Sequence, residues 1–170
     1  MTGDPSPTVW TVGHGTRSTD ELAALVLAAG VTTVIDVRRY PKGRRQPHLA
    51  RERLTVDLPA LGVDYEWWGE PLGGRRPAPE ASTTPGPWRS PGFAAYAAHM
   101  RRHEFTMALQ SLERRIASGE ALALMCAETL WWRCHRRLIA DALVSDRYTV
   151  RHLADRPPGT VHRASRIGGD

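Results

Sequence analysis

The run Val31-Thr32-Thr33-Val34-Ile35-Asp36-Val37 constrains the fold more than any other stretch of the chain. It is β-branched and almost continuously apolar, which suits a strand buried on both faces. Such a strand needs helices above and below it, so the run predicts a parallel sheet. Before it, Thr8-Val9-Trp10-Thr11-Val12 reads as a first strand, stopped by Gly13-His14-Gly15. A helix joins the two. Ser18 and Glu21 form a capping box, Leu22, Leu25, Val26 and Ala29 recur at helical spacing, and Gly30 closes the helix.

The rest of the chain continues the alternation. Residues 52–61 predict a weak helix, opposed by Thr55, Val56 and Pro59, and residues 63–68 alternate as a third strand. Residues 69–92 are rich in Pro and Gly and predict a long loop over the strand ends. Phe93, Tyr96 and Met100 share one helical face, and Phe105, Leu109, Leu112 and Ile116 another, so two helices or a bend near His103 are expected. A core strand at 121–126, an amphipathic helix at 133–144 and a last strand at 148–153 follow, with a loose tail beyond Arg156. The order βαβαβααβαβ implies a three-layer α/β domain, a mostly parallel sheet with helices on both faces. One domain over 1–170 is expected, with a flexible N-terminus and an ordered core at about 8–155.

At 170 residues and 41% hydrophobic content the chain supports one buried core. No apolar run approaches the roughly 20 residues of a membrane helix, and no basic segment leads into an apolar one at the N-terminus. The expected setting is cytoplasmic, with no membrane partner and with Cys126 and Cys134, the two cysteines, reduced. The net charge of +5 comes almost wholly from arginine, Lys42 being the one lysine. Compositional bias accounts for arginine-rich chains. A second reading is that guanidinium forks suit phosphate and carboxylate ligands.

Ligands of open parallel sheets bind beyond the carboxyl ends of the strands, and here every strand end carries polar groups. The first delivers Gly13 and His14, the second Asp36, Arg38 and Arg39, and the third leads to Gly73 and Gly74. The fourth delivers Cys126 and Glu128, followed by Arg133, Cys134, His135 and Arg136. Cys126 is a candidate nucleophile, because a thiol facing a helix N-terminus and cations loses its proton readily. It equally reads as the buried end of a core strand. Glu128 is a candidate general base or hydroxyl-binding group, or a salt-bridge partner of Arg136 or Arg38. His14, flanked by glycines, is a candidate proton-transfer group. Asp36 would orient it or pair with Arg38.

His135 and Arg136 open a helix, where cations are unfavourable unless an anion compensates them. The expected anion is a ligand, or else Asp36 and Glu128. The substrate-binding set is thus Gly13, Arg38, Arg39, Gly73, Gly74, Arg133, His135 and Arg136, with Cys126, Glu128, His14 and Asp36 as the catalytic set. There is no C-x-x-C, and adjacent Cys134 and His135 diverge by about 100° on a helix, so no metal is assigned. No G-x-G-x-x-G or Walker loop occurs, and no cofactor is expected. Two tryptophan pairs, Trp67-Trp68 and Trp131-Trp132, flank the same rim as core fillers or stacking platforms.

Gly13-His14, Ile35-Asp36-Val37-Arg38 with Pro41, Leu72-Gly73-Gly74, and Met125-Cys126-Ala127-Glu128 followed by Cys134-His135-Arg136 resemble the domain of unknown function 488 family. The resemblance runs from about Val9 to His152 and departs at Trp131 and Trp132, bulky where relatives carry smaller, acidic or proline residues. It implies a three-layer α/β fold and one shared site, without naming a reaction. The expected activity is a hydrolase or transferase acting on a phosphate-bearing partner, a nucleotide or nucleic acid, of repair or modification type. The alternatives are a non-catalytic nucleic-acid or nucleotide-binding module, and a redox or metal-binding protein.

Overall fold

A computed structural model describes residues 6–78 and 88–165. The capping box forms as the sequence predicts: Ser18 Oγ accepts from the Glu21 N–H and the Glu21 carboxylate accepts from the Ser18 N–H, opening α1 (Thr19–Ala28). It follows β1 (Thr8–Gly13) and leads to β2 (Thr33–Asp36), all four residues of which are buried. Next come α2 (Arg51–Ala60) and β3 (Asp64–Trp67). A short α3 (Gly69–Leu72) occupies the start of the stretch where the sequence predicts only loop. Part of that stretch, 79–87, lies outside the described residues.

Ser90 caps α4 (Pro91–His99), and Met100 to Arg102 form the bend before α5 (His103–Ala117). After β4 (Leu122–Cys126) a single 3₁₀ turn, Trp131–Arg133, delays α6 (Arg136–Ser145) by three residues relative to the sequence expectation. β5 (Thr149–Leu153) is followed by β6 (Thr160–Val161), so the segment expected to be a loose tail contributes a strand. Residues 1–5 and 166–170 of the two expected flexible ends lie outside the description.

The sheet order is β3-β2-β4-β1-β5-β6, parallel throughout except for the β5–β6 pair. Alternation along β4 divides the core. Leu122, Leu124 and Cys126 face Tyr96 on α4, Leu112 and Ile116 on α5, and Leu138, Ile139 and Leu143 on α6. Ala123 and Met125 face Leu22, Val26, Leu54 and Leu58 on α1 and α2. The result is a three-layer α/β/α arrangement. β4 therefore sends its chain to α6 on one face, while its neighbours β1 and β2 send theirs to α1 and α2 on the other. Diverging connections open a crevice at the carboxyl end of β4. Among the described residues no helix is long and apolar enough to cross a membrane.

Candidate functional site

The carboxyl ends of β1, β2 and β4 are tied together by backbone bonds. The His14 N–H donates to the Cys126 carbonyl at 2.8 Å, and the Val37 N–H to the Met125 carbonyl at 2.9 Å. Gly13 makes this closeness sterically feasible, because a Cβ there would sit 2.0 Å from the Glu128 carbonyl oxygen. Above these ends lies a cleft of about 790 Å³. Arg38, Arg39, Arg75, Arg133 and Arg137 line it, and among the described residues Glu128 is the one carboxylate in its wall. Such a wall favours anions. Cys126 and Cys134 lie at its floor, 3% and 6% exposed.

The two thiols form one unit, with Sγ atoms 2.8 Å apart and no disulfide between them. Cys134 sits just before α6, where its Sγ accepts from the Arg136 N–H at 3.5 Å and lies 3.5 Å from His135 Nδ1. The hydrogen bond from Cys126 holds the Cys134 thiol well below the usual thiol range, with His135 and Arg136 adding to it. Burial pushes Cys126 the other way, so it keeps its proton. The low-pKa thiol is thus Cys134 and not the Cys126 that the strand end suggests.

Arg136 explains why. It is 1% exposed, donates from Nη1 to Thr11 Oγ1 at 3.1 Å and from Nη2 to the Glu128 carbonyl, and leaves Nε without a partner. No carboxylate pairs with it among the described residues. A buried charge without a counter-charge is strongly unfavourable. Burial works against the guanidinium, and the neighbouring sulfurs more than offset it. The Cys134 sulfur, which accepts from the Arg136 N–H, thus stands where the sequence expects an anion opposite the helix opening. Asp36 and Glu128 do not supply it: Asp36 is tied to Arg38, and the Glu128 side chain, exposed at the rim, accepts from the Leu130 N–H at 3.0 Å.

A chain of hydrogen bonds continues behind Arg136. Thr11 Oγ1, 2.6 Å from His152 Nδ1, donates onward; His152 Nε2 donates to His162 Nδ1 at 2.9 Å; His162 Nε2 donates to Asp141 Oδ1 at 2.8 Å. This direction runs toward the Asp141 carboxylate, which can only accept. Burial, then His162 and Arg136, lowers His152 to a pKa of about 3, so it is neutral. Trp131 stacks on its ring at 4.2 Å, which makes Trp131 a structural residue, whereas Trp132 is 47% exposed at the cleft.

His14 and Asp36 stand behind the cleft wall rather than in it. His14 donates from Nδ1 to the Gly15 carbonyl at 2.9 Å and accepts from Arg38 Nη1 at 3.1 Å. Burial lowers it to about 4. Both nitrogens are engaged, and its role here is to hold Arg38. His135 donates from Nε2 to the Val37 carbonyl at 2.8 Å and borders the cleft beside Gly74, where a Cβ would meet its Nδ1 at 2.8 Å. Gly73 packs on the Arg39 backbone, and Arg39 donates to the Arg75 carbonyl at 3.0 Å. Of the sequence-predicted set, Cys126, Glu128, Arg38, Arg39, Gly74, Arg133 and His135 meet in the cleft. Gly13, His14, Asp36, Gly73 and Arg136 support it from behind. Cys134 is the residue that both predicted sets lack, although its motif with His135 and Arg136 stands in the sequence. Thr11, Asp141, His152 and His162 carry no sequence signal of their own.

The profile of the domain of unknown function DUF488 matches residues 18–143, taking in β2, β4, the thiol pair and Arg136. The chain belongs to the DUF488 family. No curated protein and no solved structure matches it. In this DUF488 chain no three metal-ligating side chains converge among the described residues.

Proposed function

We propose that this DUF488 protein is a thiol-dependent hydrolase or transferase acting on a phosphate-bearing substrate, a nucleotide or nucleic acid. One observation carries the reading: the Cys134 sulfur, beside a buried Arg136 that has no carboxylate partner among the described residues, lies at the floor of an arginine-lined cleft. A thiolate is the nucleophilic form of cysteine, and guanidinium groups bind and orient phosphate oxygens. Cys134 attacks the electrophilic centre, an S–P bond forms, and the P–O bond breaks with its electron pair leaving on oxygen, which takes a proton from water. An acceptor hydroxyl or water then displaces the sulfur, with Glu128 at the rim taking the released proton. Exposed Trp132 beside Arg133 supports stacking on a base. The reducing cytoplasm, and a repair or modification pathway within it, suits an enzyme whose nucleophile must stay reduced.

The test is binding and turnover of nucleoside phosphates and single-stranded oligonucleotides at two salt concentrations. Binding lost in Arg133→Ala, with product formation lost in Cys134→Ser while binding persists, supports the enzyme. Binding with no product from any of these ligands assigns a binding module instead. Absence of salt-sensitive binding overturns the substrate class.

A further inference from the structure

We propose that Cys134 and Cys126 form a hydroperoxide-reactive dithiol, in which Cys134 is the attacking sulfur and Cys126 the resolving one. The inference shares the Cys134 thiolate with the proposed function and does not depend on its substrate. Three observations support it. The sulfurs are 2.8 Å apart, so no other group stands between them. Both line the cleft, which is the route for a small oxidant. The two differ in environment, Cys134 standing just before α6 with its sulfur beside the Arg136 N–H and the His135 ring, while Cys126 sits at the buried end of β4 with its sulfur 3.7 Å from the Glu128 carbonyl oxygen.

The chemistry balances with a hydroperoxide as the oxidant. The Cys134 thiolate attacks the distal peroxide oxygen, an S–O bond forms, and the O–O bond breaks. The departing hydroxide or alkoxide takes a proton from water, leaving a sulfenic acid. Cys126 then gives up its proton and attacks the Cys134 sulfur. An S–S bond forms, and the S–O bond breaks to release water. The sulfurs together lose two electrons and the peroxide gains them. The product has no thiolate opposite Arg136, so the nucleophile of the proposed reaction is removed until a dithiol reductant restores it.

The experiment treats the reduced full chain with one equivalent of hydrogen peroxide, blocks remaining thiols with iodoacetamide, and measures intact mass and peptide maps. The expected result is a product lighter by two hydrogens, carrying a Cys126–Cys134 cross-link and no alkyl group, and reversed by dithiothreitol. In Cys126→Ser, dimedone traps a sulfenic acid on Cys134. In Cys134→Ser, peroxide consumption falls by roughly tenfold or more, because the remaining thiol is protonated. The inference is overturned if both wild-type thiols are still alkylated by iodoacetamide in denaturant after peroxide, or if Cys134→Ser consumes it as fast as wild type. Should either serine variant fail to fold, the wild-type cross-link alone decides. Rapid alkylation of Cys134 near pH 6 without cross-linking after peroxide overturns this inference and leaves the thiolate of the proposed function in place. A cross-link in a protein that binds no phosphate-bearing ligand sustains the inference and removes that substrate.

Discussion

Arg38 holds both carboxylate oxygens of Asp36, donating from Nε to Oδ1 at 2.9 Å and from Nη2 to Oδ2 at 2.6 Å. Asp36 is fully buried and also accepts from the Tyr65 hydroxyl at 2.5 Å. The same guanidinium donates to His14 and to the Leu49 carbonyl while lining the cleft. Asp36 thus sets the position of a cleft arginine from the core side. Asp36→Asn leaves that cation unpaired and is expected to destabilise the fold by about 3 kcal/mol, measured by urea unfolding. Adding Arg38→Met to it is expected to recover part of the loss, since an apolar replacement removes the orphaned charge. A single variant as stable as wild type would show that the pair does not organise the wall.

Cys134 is expected to react with iodoacetamide at a rate that holds as pH falls through 7, because its folded pKa lies well below the ordinary thiol range. Cys126 is expected to react only after unfolding, since burial raises it. Arg136→Met removes the counter-charge and is expected to move the Cys134 profile to higher pH. Quantitative mass spectrometry of the two cysteine peptides separates them. Equal reactivity of both, or a profile unmoved in Arg136→Met, would contradict the assignment.

His14 and His152 are buried and neutral, lowered to about 4 and about 3. Both protonate more readily in the unfolded chain, whose histidines titrate at about 6.5. The unfolded state therefore binds the extra protons as pH drops below 6.5, and stability declines from there down through the folded values. The expected loss between pH 7 and pH 5 is on the order of 2 kcal/mol per histidine. Urea titrations at the two pH values check it. A flat profile would mean that these rings are not held neutral.

His162 follows β6 and joins the chain of bonds that ends on Asp141. Removing residues from Gly159 onward is expected to lower stability by about 2–4 kcal/mol, through lost strand pairing and an unpaired His152. Thermal unfolding measures this, and Trp131, stacked on His152, reports it by a red-shifted emission. A truncated chain that melts with the full one would show the segment to be dispensable.

Arg133 lines the cleft with its side chain exposed. If it contacts one phosphate, Arg133→Ala should reduce the slope of log affinity against log salt by about one for an oligonucleotide ligand. An unchanged slope would place the nucleic acid elsewhere.

Much of the fold is legible in the sequence for physical reasons. A β-branched, almost continuously apolar run suits an inner strand, and the Ser18–Glu21 box with Gly30 marks both ends of α1. Local chemistry of this kind acts within a few residues and survives in the linear order. The short α3 and β6 are not legible, because each is stabilised by distant contacts, β6 by β5 and α3 by the Tyr96 hydroxyl donating to the Leu72 carbonyl. Sequence alone also brings the clusters at the strand ends to one edge, since parallel strands must share a carboxyl side.

What only the tertiary structure decided was which of those groups meets solvent and which is enclosed. Charge state depends on burial and on neighbours within a few ångströms, and both come from residues far apart in the chain. Thr11 and Arg136 are 125 positions apart, and Cys134 becomes the acidic thiol through Cys126, His135 and Arg136 together. The same enclosure turned His14 from a candidate proton carrier into a neutral support for Arg38. Spacing along the chain names the residues; packing assigns their protons.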